Sequence, residues 1–170
     1  MRIRPETPDD QEAVFAVHRA AFGDDRIAAL PAAARAADDY VPELSLVAVD
    51  DQRVVGHVLL SYCRLETEHG HGRVLQLSPI GVLPNRQREG IGSRLIRDAI
   101  RRADELGEPL VLLVGDPRYY SRFGFRPASR LGIEHPTPVR DDVFMALPLK
   151  AYDVELRGRL VYPAAWAELT

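Results

Sequence analysis

A short apolar run, Leu77–Val82, is followed by Gln87-Arg88-Glu89-Gly90-Ile91-Gly92 and then by a long helical pattern from Ile91 to Leu106. This succession of strand, tight glycine loop and helix start constrains the chain more than any other feature. Unpaired backbone N–H groups converge at such a helix start, and the helix dipole adds partial positive charge. Gly90 and Gly92 carry no side chain, so a phosphate can come close to the backbone. The loop is not a P-loop, because no Gly-Lys-Ser/Thr occurs. It also lacks the third glycine of a dinucleotide fingerprint.

The rest of the chain alternates strands and helices. Met1 to Arg4 reads as a first strand. Thr7-Pro8-Asp9-Asp10 reads as a helix start, and Val14, Val17, His18 and Ala21 mark one face of the helix that Gly23 ends. Residues 24–39 are Ala-rich and helix-prone, interrupted by Pro31, and Tyr40 to Glu43 is expected to be a loop. Leu44–Val49 and Arg53–Tyr62 read as strands joined by Asp50-Asp51-Gln52. A polar loop, 66–72, precedes a strand over 73–83, in which Pro79 implies a bulge or splaying. In the helix from Ile91, the residues Ile91, Leu95, Ile96, Ala99, Ile100, Ala103 and Leu106 form one stripe. Leu110–Val114 reads as a strand buried on both faces, and Val143–Leu149 as the last core strand.

A chain of 170 residues points to one domain with a real core. A net charge of −3 gives no global field to recruit nucleic acid. The single Cys63 excludes an intrachain disulfide framework and fits a reducing compartment. Charged residues and prolines from Arg2 onward resemble no signal peptide, and no apolar stretch is long enough to cross a bilayer. The expected location is cytoplasmic, with no membrane partner.

The pattern Q-x-x-G-x-G after a strand resembles the signature of the GCN5-related N-acetyltransferase (GNAT) superfamily. Ile80-Gly81-Val82 stands four residues ahead of Gln87, as is usual there. Tyr119-Tyr120-Ser121-Arg122-Phe123-Gly124-Phe125 is similar to the superfamily's Y-x-x-x-G-F element. The arrangement resembles a bacterial branch often called YhbS-like. The resemblance covers about residues 1–149, with 150–170 as an extension carrying Val161, Tyr162 and Trp166. It implies an α/β (α+β) fold: a mixed sheet of about six to seven strands, splayed between the fourth and fifth, flanked by about four helices. It implies acetyl-CoA as acyl donor and no metal. Ile80, Gly81 and Val82 would hold its pantetheine arm, and Gln87, Arg88, Glu89, Gly90, Ile91, Gly92 and Ser93 its pyrophosphate. Tyr120 would be the acid for the leaving thiolate, with Tyr119 as the neighbour that could be meant instead. The acceptor would be an amine of a small molecule or peptide, attacking directly in a ternary complex. A homodimer through the tail is left open.

Two positions depart from the superfamily. Gln76 stands where many members have a basic carboxylate, four residues before Ile80. Gly115-Asp116-Pro117 stands where many have an asparagine, and Asp116 reads better as a helix cap. The base is therefore open among water relays, Glu43, His57 and Glu66. The missing carboxylate also motivates an alternative reading, a non-catalytic acyl-CoA sensor or scaffold. A third, another pyrophosphate ligand such as ATP or NAD, gives no role to the Y-x-x-x-G-F element. His57 reads as a core histidine, His69 and His71 as a solvated loop, and Cys63 as a small buried hydrophobe. Arg86 and Arg88 read equally as phosphate contacts and as solvated loop residues.

Overall fold

The computed structural model describes residues 1–169, and its secondary structure forms two compact units. The first comprises Met1–Ser61, Leu77–Arg102 and Leu169; the second comprises Tyr62–Gln76 and Ala103–Glu168. Thr170, the last residue of the expected 150–170 extension, lies outside the described residues.

In the first unit, β1 (Arg2–Pro5) pairs antiparallel with β2 (Tyr40–Asp50), and β2 pairs antiparallel with β3 (Arg53–Thr67). Asp51 and Gln52 both take positive φ in the turn between β2 and β3, the geometry that a two-residue hairpin favours. Helix α1 (Gln11–Phe22) follows a 3-10 turn over Pro8–Asp10 and ends at Gly23, whose φ of 66° closes the last turn. Helices α2 (Asp25–Ala28) and α3 (Leu30–Arg35) come next. Pro31 starts α3 rather than interrupting a helix, because an imino nitrogen costs no bond in a first turn. Helix α4 (Ile91–Glu105) buries Ile91, Leu95, Ile96, Ala99 and Ala103. A Cβ on Gly56 of β3 would lie only 3.1 Å from the side chains of Ile91 and Leu95, so the glycine lets α4 lie close to the strand.

In the second unit, β4 (Gly70–Val82) pairs parallel with β5 (Leu110–Val114), and β5 pairs antiparallel with β8 (Phe144–Pro148). Short strands β6 (Arg126–Pro127) and β7 (Ile133–Glu134) flank them, with α5 (Pro117–Tyr120) ahead of β6. Strand β9 (Gly158–Val161) pairs with β3 and with β7, and α6 (Ala164–Ala167) buries Trp166. The core of this unit includes Leu65, Leu110, Leu112, Phe144 and Leu160.

The described residues thus hold nine strands where about six to seven were expected, and six helices where about four were. The additions are the two-residue β6 and β7 and the tail strand β9, too short to show a period. The expected loop at 40–43 is instead the start of β2; its ladder slips between Tyr40 and Ser45, where Pro42 supplies no N–H. The expected loop at 66–72 is a tight hairpin end, with β3 reaching Thr67 and β4 resuming at Gly70. The ladder from β4 to β5 covers only Leu75 with Val111 and Gln76 with Leu112. It stops three residues before Pro79. No helix among the described residues is long and apolar enough to cross a membrane.

Candidate active site

The glycine loop lies wholly in the first unit. Strand β4 ends at Val82, and the Leu83 N–H donates to Val55 O at 2.9 Å. The Gln87 side-chain amide turns back to donate to Val82 O at 3.1 Å, so the signature glutamine braces the loop. Arg86 is ion-paired with Asp50 and Glu89, both at 2.9 Å, which ties the loop to the β2–β3 turn. Arg88 and Gly90 have φ of 66° and 80°. Among the described residues no backbone carbonyl accepts from the N–H groups of Arg88, Glu89 or Gly90. These exposed donors stand directly before Ile91, the first residue of α4, with Gly92 and Ser93 half-buried in its first turn. The arrangement suits a phosphate oxygen.

Tyr120 lies in the second unit, at the end of α5. Its ring packs edge-on to Phe125 and Tyr119, with centroids 6.1 and 5.0 Å away. A Cβ on Gly115 would overlap that ring, so the glycine makes its slot. Burial, with a smaller effect of Tyr119, pushes the Tyr120 phenol up to about 12. It therefore keeps its proton across the ordinary working range, and its hydroxyl makes no hydrogen bond among the described residues. Tyr119 instead lies under the Arg122 guanidinium, 4.3 Å from its ring centroid. Asp116 caps α5 by accepting from the Arg118 N–H at 2.9 Å.

A buried polar relay, legible in no local pattern, crosses the first unit. Glu6, just after β1, accepts from Arg35 of α3 and from the Tyr40 hydroxyl at 3.0 Å. Its other oxygen is 3.0 Å from Nε2 of His57, which also lies 2.9 Å from Ser45 Oγ. Nδ1 of His57 is 2.7 Å from Nε2 of His18 on α1. A carboxylate only accepts, so Nε2 of neutral His57 carries its hydrogen and Nδ1 accepts. His18 then donates through Nε2, which leaves a lone pair on its Nδ1. That nitrogen is buried with no hydrogen-bond partner among the described residues. It lies 2.8 Å from the position that a Cβ on Gly81 would take. An unpaired buried acceptor costs about 1–3 kcal/mol.

Burial would raise the Glu6 carboxyl, but the hydrogen bonds of His57 and Arg35 outweigh it and hold it well below the usual carboxylate range. Burial pushes His18 down to about 3 and lowers His57.

The comparisons with known proteins fit this geometry. Residues 2–128 match the acetyltransferase (GNAT) domain family. The chain belongs to the GNAT family of acetyltransferases. The uncharacterized N-acetyltransferase YjhQ of Escherichia coli (strain K12) is 31% identical over 155 residues, covering 89% of this chain and 86% of that protein. Among solved structures, the GNAT family N-acetyltransferase YhbS of Escherichia coli, in complex with CoA, has a TM-score of 0.86 at 25% identity, covering 98% of this chain and 91% of the other. A GNAT family acetyltransferase from Brucella melitensis, in complex with acetyl-CoA, has a TM-score of 0.79 at 30% identity, covering 97% of each chain. The fold, including its parallel β4–β5 pairing, is that of the GNAT proteins.

As a GNAT chain it lacks a carboxylate at Gln76. That side chain is buried and accepts from the Cys63 thiol at 2.9 Å. Of the other positions weighed as a base, Glu43 is exposed and Glu66 pairs with Arg64 at 3.7 Å. His57 has both nitrogens engaged. His69 and His71 are exposed at the hairpin end. Sequence reasoning placed His18 on a helix face and missed its link to His57, because 39 residues separate them.

The neutral histidine pair gives the fold an acid limit. A histidine whose folded pKa is depressed contributes stability that is complete above its unfolded value, about 6.5, and is lost as pH falls toward the folded one. The other charges around the pair are Glu6, Arg35 and Asp10, with the Tyr40 phenol nearby. Glu6 adds a loss of the same sign below its own unfolded value. The expected result is a melting temperature steady from pH 8 to 7 that falls below about 6.5. Each such histidine takes about 1.4 kcal/mol per pH unit. Thermal melts followed by circular dichroism check this; a flat melting temperature down to pH 4.5 would contradict a neutral pair.

Proposed function

We propose that this chain transfers an acetyl group from acetyl-CoA to a primary amine of a small molecule or peptide, by direct attack in a ternary complex. The observation that carries the reading is the glycine loop, with its unspent N–H groups at the start of α4 after the GNAT strand Ile80–Val82. The donor supplies an acetyl group already activated as a thioester. Arg88, Glu89, Gly90, Ile91, Gly92 and Ser93 bind its pyrophosphate, and Gln87 keeps the loop in shape. The backbone of Ile80, Gly81 and Val82 binds the pantetheine arm and polarises the carbonyl oxygen.

Tyr120 donates to the departing sulfur. Its raised pKa makes it a hydrogen-bond donor that retains its proton until charge develops on the thiolate. Tyr120→Phe is expected to lower kcat by about 100-fold with acetyl-CoA affinity unchanged; an unaltered kcat removes Tyr120 from the chemistry. Trapping of intermediates is not needed for this test, because thiol release reports turnover directly.

Calorimetric titration with acetyl-CoA, with ATP and NAD as controls, tests the reading itself. Binding by acetyl-CoA alone is expected, and Gly90→Val should weaken it by about 100-fold. Valine is strained at a φ of 80° and its side chain stands among the phosphate donors. Binding of ATP or NAD in place of acetyl-CoA would sink the reading. Turnover with a panel of amines separates the transferase from an acyl-CoA sensor of the same fold.

A further inference from the structure

A cavity of about 220 Å³ lies within the second unit, lined by Ile133, Val139 and Phe144 and rimmed by Glu134, His135 and Asp141. Its walls are held in place. The His135 ring lies edge-on to Phe144 and Tyr162, with centroids 5.0 and 5.4 Å away, and its two nitrogens lie 2.8 Å from Thr137 O and 3.0 Å from the Tyr162 hydroxyl. Glu134 is paired with Arg159 at 3.3 Å, and Arg140 with Asp142 at 2.6 Å. The Asp141 carboxylate forms no ion pair or side-chain hydrogen bond among the described residues, so it is the uncompensated carboxylate of the cavity.

The cavity adjoins the end of β5 beside which Tyr120 is seated. Phe144 stands opposite Val114 in the β5–β8 ladder, so the two side chains share one face of the sheet. Val114 is 49% exposed although β5 has a strand on either side, because β5 runs two residues past Leu112, its last partner in the β4 ladder. The next residue, Gly115, donates its N–H to Val143 O at 2.9 Å and turns its open side to the Tyr120 ring. Successive residues of a strand point to opposite faces. Tyr120 therefore holds one face of this strand end, and the other carries an apolar track from Val114 over Phe144 to the cavity. The acid for the departing sulfur stands on the first face, and the second is open to an entering amine.

We propose that this cavity holds the far end of the acceptor, and that the acceptor is a primary amine with a short apolar stem and a second ammonium group, a diamine being the simplest member. The inference rests on the transferase reading and names its substrate class. The first amine meets the thioester. Its nitrogen–carbon bond forms as the carbon–sulfur bond breaks, and the proton it sheds balances the one that the thiol gains. The second amine stays protonated and pairs with Asp141, beside the rings of Phe144 and His135. The stem lies along Val114 and Phe144. A lone carboxylate set against apolar and aromatic walls favours a cation over a neutral or anionic group.

The test sets a series of diaminoalkanes against alkylamines of matching length, with acetyl-CoA saturating and thiol release as the readout. Acetyl-CoA affinity is measured separately by calorimetry. In the unaltered chain the diamines are expected to have a KM about tenfold lower at similar kcat, an advantage that high salt erodes. Asp141→Asn should remove that advantage and leave kcat, the alkylamine KM and acetyl-CoA affinity as they were. Asp141 is exposed, so this variant is expected to fold. Val139→Arg places a cation at the cavity, and should raise the diamine KM while sparing the alkylamine. A diamine KM equal to that of the matching alkylamine, or a diamine advantage that survives Asp141→Asn, would overturn the proposal. Turnover of neither class by the unaltered chain is a different failure: it removes the transferase reading, and the acceptor proposal with it.

Discussion

Replacing Glu6 by alanine is expected to lower the unfolding free energy by about 3–5 kcal/mol. Glu6 is a buried acceptor shared by three donors from three elements: Arg35 of α3, Tyr40 of β2 and His57 of β3. Removing it leaves a guanidinium whose side chain is only 15% exposed without its counter-charge. It also removes the partner that holds the His57 hydrogen on Nε2. The buried pair itself contributes little beyond apolar packing of equal volume, and the cost arises from breaking it on one side. In a chain of this size the melting temperature should fall by roughly 10 °C. Glu6→Gln retains oxygen and shape but loses the charge, so it should fall between parent and alanine variant. Urea unfolding of the three proteins measures this; a cost below about 1 kcal/mol for the alanine variant would mean that solvent reaches the set and screens it.

The second large effect is expected at Gly158, which opens β9. Its φ is 149°, and a Cβ there would overlap the carbonyl oxygen of Glu66. The obstacle is backbone, so no rotamer change relieves it. Gly158→Ala should therefore break the antiparallel ladder that pairs Arg64, Leu65 and Glu66 with Val161, Leu160 and Arg159. Leu160 is fully buried and would lose its seat. The expected cost is about 4 kcal/mol or more, with rapid deuterium exchange confined at first to the residues after Arg157. Unchanged exchange in that tail would show that the strand can shift to accommodate the methyl group.

The fold and the site were legible to different depths. Elements with a sustained period were plain: the α4 stripe appears from Ile91 to Ala103, although Leu106, expected to end it, lies exposed past the helix, and the Leu110–Val114 strand is buried as expected except at Val114, which is exposed. So was the glycine that ends α1. Short strands were not, because two residues such as Ile133 and Glu134 carry no alternation; β7 gains its identity by pairing with β9, and β9 by pairing with β7 and β3. Pro42 suggested a loop, yet β2 accommodates it by letting one stretch of ladder lapse. At the candidate site, the glycine loop is continuous in sequence, so its shape ahead of α4 could be read directly. The relay could not be, since Glu6, His18, Arg35 and His57 look like unrelated members of three elements and a connecting segment until tertiary packing joins them. Sequence pattern reports which residues face inward; it does not report that two inward histidines meet.

That dispersal has a consequence for descent. Three elements and the segment after β1 each donate one residue to a dry, charge-balanced set, so a single exchange at any of them strands its neighbours at a cost comparable with a large share of the fold's margin. The intermediates between one complete set and another are therefore disfavoured. Lineages should carry Glu6, His18, Arg35 and His57 together or replace them together, often with apolar residues, and the glycine loop is free to persist through either outcome.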